Sequence, residues 1–260
     1  MKIRHIVATM FNTEDFSEFI QKRNIQTCCT VVNQGDKEGI YTQGENVWVD
    51  SLKRGLSRSR NEALDHAEAD IIMIADDDII YSDNYLETVT KAYEEYPDAD
   101  MITFRITVAS ESHDRIQNAE IMKHTNRTIL SIGSNEITFK KASIDRIGLR
   151  FDERFGLGSK QFISGEESLL LKKALDSGLK LIHYPVIIAD HPVNDLSNSH
   201  WDKNMIYTKG AFFGAYSHHF ASLFALIFWI TKKENINKDI HFMEYMKLWN
   251  KGIKAQKKGI

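Results

Sequence analysis

Three carboxylates stand directly after an apolar run in the first third of the chain. Asp76, Asp77 and Asp78 follow residues 70–75 (DIIMIA), which have the composition of a buried strand. Side chains two positions apart in an extended segment share a face, so Asp76 and Asp78 converge while Asp77 points away. Converging carboxylates repel one another unless a cation neutralises them, and oxygen ligands favour Mg²⁺ or Mn²⁺. The pattern indicates either a divalent-cation site or a solvated acidic turn before the next helix.

A second acidic pair, Glu166 and Glu167, opens a strongly helical segment. A carboxylate at a helix N-terminus has a fixed orientation, which suits a general base. Ser164 and Glu167 also have the spacing of a capping box, in which both side chains only satisfy backbone groups. The spacing alone leaves both interpretations open.

Two further features carry basic side chains to the ends of predicted elements. His191 follows the last predicted strand, where a neutral imidazole could complete a carboxylate metal site or serve as an ordinary polar residue. Arg58 and Arg60 lie near the start of a predicted helix, an arrangement that binds phosphate or simply faces solvent.

Strand-like and helical patterns alternate over the first two thirds of the chain, which predicts an α/β fold with a mostly parallel central sheet flanked by helices. The expected strands are residues 3–9, 27–32, 47–49, 70–75, 101–108, 138–139 and 181–189. The expected helices are residues 13–22, 57–67, 85–96 and 164–176. In such a sheet, ligands bind beyond the carboxyl ends of the strands, where the acidic triplet and His191 fall. We expect one catalytic domain over residues 1–200 and a helical, basic extension over residues 201–260.

Composition excludes several classes of protein. The 260 residues include 33 basic and 36 acidic side chains, so a net charge of −3 gives no global attraction to nucleic acid. The chain has no GxxxxGK[ST] phosphate loop, no GxGxxG after the first strand, no GxSxG and no HExxH. The adjacent Cys28 and Cys29 are poor disulfide partners, and the first residues lack a signal peptide's apolar core, so we expect a cytoplasmic protein.

The C-terminal extension combines an apolar segment with basic residues. Residues 210–230 are free of Asp, Glu, Lys and Arg, but their most apolar part, residues 220–230, is shorter than the roughly 20 residues of a membrane span. Aromatic and aliphatic residues recur at helical spacing, and lysines follow. This pattern predicts either packing on the α/β domain or peripheral contact with anionic lipid. The residues of the apolar face are Ala211, Phe212, Phe213, Tyr216, Phe220, Leu223, Phe224, Ile227 and Phe228.

Taken in order, six segments resemble those of the family 2 glycosyltransferases, inverting enzymes of the GT-A fold that use nucleotide-diphosphate sugars. The segments are VATMFN, GLSRSRNEAL, IIMIADDDI, GSNEITFKK, RFGLGSKQFISGEESLLLKKALDSGLKL and the DHP of residues 190–192. They cover roughly residues 1–200 in the family's order. The resemblance implies a GT-A-type sheet, a divalent cation (Mn²⁺ or Mg²⁺), a nucleotide-diphosphate sugar donor, and a glycan or lipid-linked acceptor.

The same resemblance implies roles for individual residues. Asp76 and Asp78 match the outer positions of the DxD motif, with Asp78 a metal ligand and Asp76 nearer the ribose. The remaining implied roles are nucleotide-sugar binding by Thr9, Arg60, Asp77 and Asn33, metal or diphosphate contact by His191, and general base catalysis by Glu167 with Glu166 beside it.

Two positions depart from the family pattern. Asn33 stands where the family has an Asp that contacts the base, and Glu167 stands where the family usually has Asp. These departures leave open a catalytically degraded nucleotide-sugar-binding protein. A metal-dependent nucleotidyl or phosphoryl transferase is the other alternative, because acidic strand ends and Mg²⁺ serve that chemistry as well.

Overall fold

The computed structural model describes residues 1–108, 120–191 and 201–257. The described strands are β1 (Ile3–Met10), β2 (Cys28–Gln34), β3 (Gly39–Gln43), β4 (Asn46–Ser51), β5 (Ile71–Asp76), β6 (Ile80–Tyr81), β7 (Met101–Val108), β8 (Met122–Lys123), β9 (Ile137–Lys140) and β10 (Leu181–His191). The described helices are α1 (Phe16–Lys22), α2 (Leu56–Asp65), α3 (Tyr85–Glu95), α4 (Lys141–Arg146), α5 (Glu166–Asp176), α6 (Lys203–Tyr216), α7 (Ala221–Thr231) and α8 (Phe242–Lys257).

The strands of the described chain form one sheet in the order β3-β4-β2-β1-β5-β9-β7-β10-β6, with β8 pairing to β10. Strands β4, β2, β1 and β5 are parallel neighbours, and β10 is parallel to β7. Because β9 is antiparallel to both β5 and β7, all six of these strands point in one direction. The predicted mostly parallel α/β sheet flanked by helices is confirmed, as is the helical C-terminal tail.

The central strands are buried on both faces, as their mainly apolar sequences require. The apolar residues 71–75 of β5 are each at most 1% exposed, and seven of the eight residues of β1 are buried. Helices α1 and α3 contribute Phe19, Val89 and Tyr93 to the same core. This rigid core fixes the strand ends, where the candidate site residues lie.

A hairpin that sequence patterning missed forms the edge of the sheet. Strands β3 and β4 pair antiparallel, with Gln43 opposite Asn46, and Gly44 takes the positive φ of 61° that a two-residue hairpin turn requires. Most of β3 is solvent-exposed, so it lacks the apolar alternation by which strands are recognised. The two-residue strands β6 and β8 are too short to give any pattern.

The described chain divides into two compact units. The first contains the sheet and takes its residues from 1–54, 58–151 and 170–195. The second takes its residues from 55–57, 152–169 and the C-terminal helices. The predicted domain boundary at residue 200 stays a prediction, while the contacts group residues 152–169 with the C-terminal helices.

Within the second unit, α6 and α8 pack at very close range. A Cβ on Gly210 would lie 2.1 Å from the backbone oxygen of Trp249, and one on Gly252 would lie 2.1 Å from that of Tyr207. These glycines therefore allow the two backbones to touch. None of the helices in the described residues is long and apolar enough to cross a membrane.

Candidate active site

Asp76 is the most completely bonded carboxylate of the triplet. One oxygen accepts a 2.8 Å bond from Nη2 of Arg60, which is 1% exposed, and the other accepts bonds from Ser134 Oγ (2.9 Å) and Asn135 Nδ2 (3.0 Å). Burial acts to raise the pKa of Asp76, but the Arg60 guanidinium and the hydrogen bonds outweigh it, so the net pKa is lowered. Asp76 is thus an ionised side chain held in one orientation.

Asp77 ties two strand ends together. Its carboxylate accepts a short hydrogen bond from the Thr9 hydroxyl at the end of β1, and its backbone oxygen accepts a 2.6 Å bond from Arg23 Nε. The guanidinium of Arg23 also pairs with Glu14 at 2.8 Å. The structure therefore brings Thr9 and the triplet into direct contact.

Asp78 faces His191, which is the last residue of β10. Oδ2 of Asp78 lies 3.1 Å from Nε2 of His191, while Oδ1 of Asp78 and Nδ1 of His191 are buried without a hydrogen-bond partner. Burial raises the pKa of Asp78, the neighbouring Asp76 and Asp77 raise it further, and His191 acts against the shift. Each of these two paired side chains therefore keeps one buried polar atom without a hydrogen-bond partner, which is unusual in a folded protein.

These two side chains suit a divalent cation. No group of three or more His, Cys, Asp or Glu side chains with metal-binding geometry occurs in the residues that the structure describes. A carboxylate oxygen and an imidazole nitrogen nevertheless fit Mn²⁺ or Mg²⁺, which in sites that act on phosphates take few protein ligands and complete their shell with water and phosphate oxygens. The unpaired Oδ1 of Asp78 meets the requirement for one such ligand.

A pocket of about 410 Å³ opens beside the end of β2. Its walls include Phe11, Asn33, Trp48 and Asp50. Phe11 has a φ of 51°, which is uncommon for a residue with a side chain, and its ring is 56% exposed. A pocket with aromatic and acidic walls suits a planar ring that carries N–H donors.

The amide of Asn33 holds this pocket together. Its oxygen accepts from the Asn12 backbone N–H at 3.0 Å, and its Nδ2 donates to the Asn12 backbone oxygen (3.1 Å) and to Asp50 Oδ1 (3.0 Å). Trp48 Nε1 donates to the same Asp50 oxygen at 2.9 Å. Asn33 therefore fixes the loop after β1 and the Asp50 carboxylate.

Glu166 and Glu167 begin α5 and belong to the second unit. Glu166 is only 4% exposed, and its carboxyl group packs so closely against Gly156 that a Cβ there would lie 3.1 Å from Cδ of Glu166. Burial lowers the pKa of Lys209 on α6, and the charges of Glu166 and Glu167 act against that shift. The unit thus holds two carboxylates and a lysine within electrostatic range.

The capping-box interpretation of this helix start is wrong. If Ser164 were the N-cap, the helix would begin at Gly165. It begins instead at Glu166, and Gly165, which has a φ of 107°, precedes it. The Ser164 hydroxyl is buried without a hydrogen-bond partner. The orientation of Glu167 is therefore not explained by a cap from Ser164.

Sequence reasoning missed the residues that hold the acidic triplet. Ser134 and Asn135 are 58 and 59 residues from Asp76 along the chain, and they reach it only because β9 lies beside β5. Asp50 and Arg23 were also missed, since a lone charged residue in a polar segment carries no signal. The GSNE sequence of residues 133–136 was the one available indication. Pro192, the last residue of the DHP segment, and residues 109–119, within a segment of predicted irregular structure, lie outside the described residues.

Known structures share this arrangement of sheet and helices. S. aureus TarS (residues 1–349) in complex with UDP-GlcNAc is 14% identical with a TM-score of 0.58, over 97% of this chain and 72% of TarS. The mannosyltransferase PcManGT from Pyrobaculum calidifontis, in complex with GDP-Man and Mn²⁺, is 12% identical with a TM-score of 0.51, over 100% of this chain and 76% of that one. The fold is that of the GT-A glycosyltransferases.

The family follows from the sequence. Residues 43–178, slightly more than half of the chain, match the model of glycosyl transferase family 2. The chain belongs to this family and is a glycosyltransferase, an enzyme that transfers sugars. No curated protein matches the chain in sequence.

Proposed function

We propose that this glycosyltransferase moves a sugar from a nucleotide-diphosphate sugar to an acceptor hydroxyl, with inversion at the anomeric carbon and with the help of a divalent cation. The observation that carries the proposal is the pair of Asp78 and His191: Oδ2 of Asp78 faces Nε2 of His191 at 3.1 Å, and the other oxygen of the same carboxylate is buried without a hydrogen-bond partner. An unpaired buried acceptor beside an imidazole at the carboxyl edge of the sheet supports a bound ligand there.

The donor would bind along the ends of β1, β2 and β5. Thr9 and Asp77 join two of these ends, and Asp76 presents an ionised carboxylate for the ribose. Arg60 orients Asp76, and its approach to the diphosphate stays a prediction. UDP-GlcNAc in TarS and GDP-Man in the mannosyltransferase support this class of donor.

The nucleobase would occupy the pocket beside Asn33. Phe11 offers an exposed ring for stacking, and Asp50, fixed by Asn33 and Trp48, offers a carboxylate to the N–H groups of the base. In this arrangement Asn33 positions the loop and Asp50, while the carboxylate that faces the base is that of Asp50 on β4 rather than that of an Asp at position 33.

Asp78 and His191 would hold the cation, Mn²⁺ or Mg²⁺. The chemistry that such a cation supplies when bound is Lewis-acid stabilisation of the negative charge on the departing diphosphate. The Mn²⁺ bound to the mannosyltransferase supports this assignment.

Glu167 would act as the general base, with Glu166 as its buried neighbour. Glu167 removes the proton of the acceptor hydroxyl while the hydroxyl oxygen attacks the anomeric carbon on the face opposite the diphosphate, and this direct displacement inverts the centre. Its side chain is one methylene longer than the usual Asp, so the carboxylate reaches further toward the acceptor.

The acceptor would be a glycan or a lipid-linked molecule. We place the enzyme in the cytoplasm with peripheral contact at the inner face of the membrane, where a lipid-linked acceptor is accessible. Both cysteines are free, as a reducing compartment requires.

The test of the proposal is the Asp78→Asn variant in a thermal-shift panel of nucleoside diphosphates and their sugars, with and without Mn²⁺. At a ligand concentration 100 times the dissociation constant, binding stabilises the wild type by about 2.7 kcal/mol. We expect Asp78→Asn to lose almost all of this Mn²⁺-dependent gain while its unliganded melting temperature stays unchanged.

The matched control is Asp98→Asn, which removes a carboxylate that is 85% exposed. It should bind like the wild type. Wild-type Mn²⁺-dependent binding by Asp78→Asn would show that the metal assignment is wrong. Nucleotide binding without sugar transfer or donor hydrolysis in the wild type would favour the degraded binding protein, and turnover of nucleoside triphosphates without an acceptor would favour a phosphoryl transferase.

A further inference from the structure

Helix α7 exposes apolar side chains where a helix of a water-soluble unit normally exposes polar ones. Its inner face contributes the buried Ala221 and Ala225. Its outer face carries Leu223, Leu226, Ile227 and Ile230, which are 52%, 43%, 42% and 76% exposed. Their spacing of i, i+3, i+4 and i+7 makes one continuous stripe, hereafter the outer stripe.

The neighbouring helix α8 shows the ordinary pattern. Its buried side packs on α6 and α7, with Tyr245 Oη donating to the Ala225 backbone oxygen (3.1 Å) and Trp249 Nε1 donating to that of Ala221 (2.9 Å). Its exposed side carries Lys247, Lys251 and Lys254. Beyond its first turn, where Phe242 and Met243 are exposed, α8 therefore faces water with polar side chains, whereas α7 faces it with leucine and isoleucine.

The structure also divides the apolar face that the sequence predicted. Ala211, Phe212, Phe213 and Tyr216 of α6 are buried within the unit, so this part packs on protein. A 3₁₀ turn at residues 218–220 then separates α6 from α7 and leaves Phe220 57% exposed. The outer stripe and Phe220 remain uncovered in the described chain.

The charges around the outer stripe are mainly basic. No Asp or Glu occurs from Lys203 to Lys233, a stretch that includes His218 and His219 before α7 and the exposed Lys232 and Lys233 after it. The exposed Glu234, Lys238 and Asp239 come next, and Glu244 pairs with Lys203 at 2.6 Å, so basic side chains still outnumber acidic ones from Lys203 to Glu244. An apolar stripe with basic flanks is complementary to a surface that is apolar inside and negatively charged outside.

We propose that the outer stripe of α7 docks in the interface of an anionic lipid bilayer, with Lys232 and Lys233 on the lipid head groups. Eleven residues at 1.5 Å each span about 16 Å, well short of the roughly 30 Å hydrocarbon core, so the helix lies in the plane of the interface. A second copy of the chain is a poorer partner, because a twofold contact along α7 would bring both sets of basic flanks together. The outer stripe would supply the surface for the peripheral membrane contact of the proposed function, and anionic lipid would be its partner. The inference rests on the proposed function only for the purpose of this contact.

The test is co-sedimentation of the full chain with vesicles of phosphatidylcholine alone or mixed with phosphatidylglycerol, at low and high salt. Leu223→Ser with Ile227→Ser should weaken binding to the anionic vesicles by at least about 30-fold. Lys232→Gln with Lys233→Gln should weaken it by about 30-fold at low salt, equivalent to about 1 kcal/mol per lysine. Both pairs are exposed, so their melting temperatures should match the wild type.

Two matched controls remove equally exposed groups elsewhere. Ile40→Ser changes an isoleucine on β3 that is 59% exposed, and Lys91→Gln with Lys180→Gln removes two lysines that are 66% and 61% exposed. Both controls should bind vesicles like the wild type.

Absence of wild-type binding to phosphatidylglycerol vesicles, or equal binding to neutral vesicles, would overturn the inference. Concentration-dependent dimers that Leu223→Ser with Ile227→Ser abolishes, without vesicle binding, would assign the stripe to a second copy instead. Donor hydrolysis without vesicles is measured on the same variants and should equal the wild type, so a failure of docking is distinguishable from a failure of the proposed function.

Discussion

A histidine lies near each end of strand β10, and the two differ in how completely their ring nitrogens are hydrogen-bonded. His124, beside the start of β10, is 6% exposed and has both nitrogens hydrogen-bonded, Nε2 to Thr103 Oγ1 at 2.8 Å and Nδ1 to Thr128 Oγ1 at 3.1 Å. His191, at the other end, faces Asp78 with one nitrogen and leaves the other buried without a partner. Complete bonding is what a structural polar residue needs, whereas unpaired atoms indicate a place for a ligand.

The acidic triplet repeats this contrast over two residues. Asp76 accepts bonds on both oxygens and its net pKa is lowered, while Asp78 keeps one oxygen unpaired and its pKa is raised by burial. Environments that separate the pKa values of neighbouring carboxylates are typical of sites that give them different tasks. We therefore expect that substitution of a fully hydrogen-bonded group such as Asp76 lowers the free energy of unfolding. Substitution of a group proposed to bind the cation or to react should instead lower ligand binding or turnover.

The largest effect is expected at the proposed general base. Glu167→Gln removes the proton acceptor but keeps size and polarity, so we expect turnover to fall by roughly 10²–10⁴ with donor affinity within a few fold of the wild type. Steady-state kinetics with a donor and its acceptor measures this. The control is Glu87→Gln, another glutamate in the first turn of a helix, which should turn over normally. If turnover were unchanged in Glu167→Gln, Glu167 would not be the general base and its role would be structural.

A smaller effect, on stability, is expected at Asp76. Asp76→Asn leaves the buried guanidinium of Arg60 opposite a neutral amide, and removing one partner of a buried pair costs about 3–5 kcal/mol. Because Asp76 itself is partly exposed, we expect about 2–3 kcal/mol. Urea denaturation measures this loss in the free energy of unfolding. The comparison is Asp78→Asn, whose free energy of unfolding should fall by less than about 0.5 kcal/mol. Equal stability of the two variants would break the contrast between the two carboxylates.

A third effect, spread over a range of pH, is the pH dependence set by His124. Burial lowers the pKa of this folded imidazole to about 4, while the unfolded chain titrates at the ordinary 6.5. Between pH 6.5 and 4 the unfolded state binds a proton that the folded state excludes, so the stability is lost as the pH falls, by up to about 1.4 kcal/mol per pH unit.

Urea midpoints measured from pH 8 to pH 5 should therefore fall with acid, and less steeply in His124→Gln. The wild-type slope should not vanish in this variant, since burial lowers the pKa of His5 to about 3 by the same mechanism. A wild-type slope in His124→Gln would show that this histidine is protonated in the folded state.

The buried elements were predictable because hydrophobic patterning is a local signal. Strand β7 was expected and found at residues 101–108, and the expected helix 85–96 is α3 to within one residue. The hairpin strand β3 was missed because it faces water, and α5 starts two residues late because Gly165 rather than Ser164 precedes it. Patterning therefore finds what the core requires and misses what only the edge of the sheet stabilises.

The sequence by itself determined the mostly parallel sheet, the acidic triplet at a strand end and the family to which the chain belongs, because each is written in residues that are close together along the chain. Only the tertiary structure decided which carboxylate is satisfied and which is not. Ser134 and Asn135 reach Asp76 across 58 and 59 residues because β9 inserts beside β5, and His191 reaches Asp78 across the sheet. The same holds for the outer stripe of α7: the sequence gives helical spacing, but only packing against α8 decides which face is left to meet a partner.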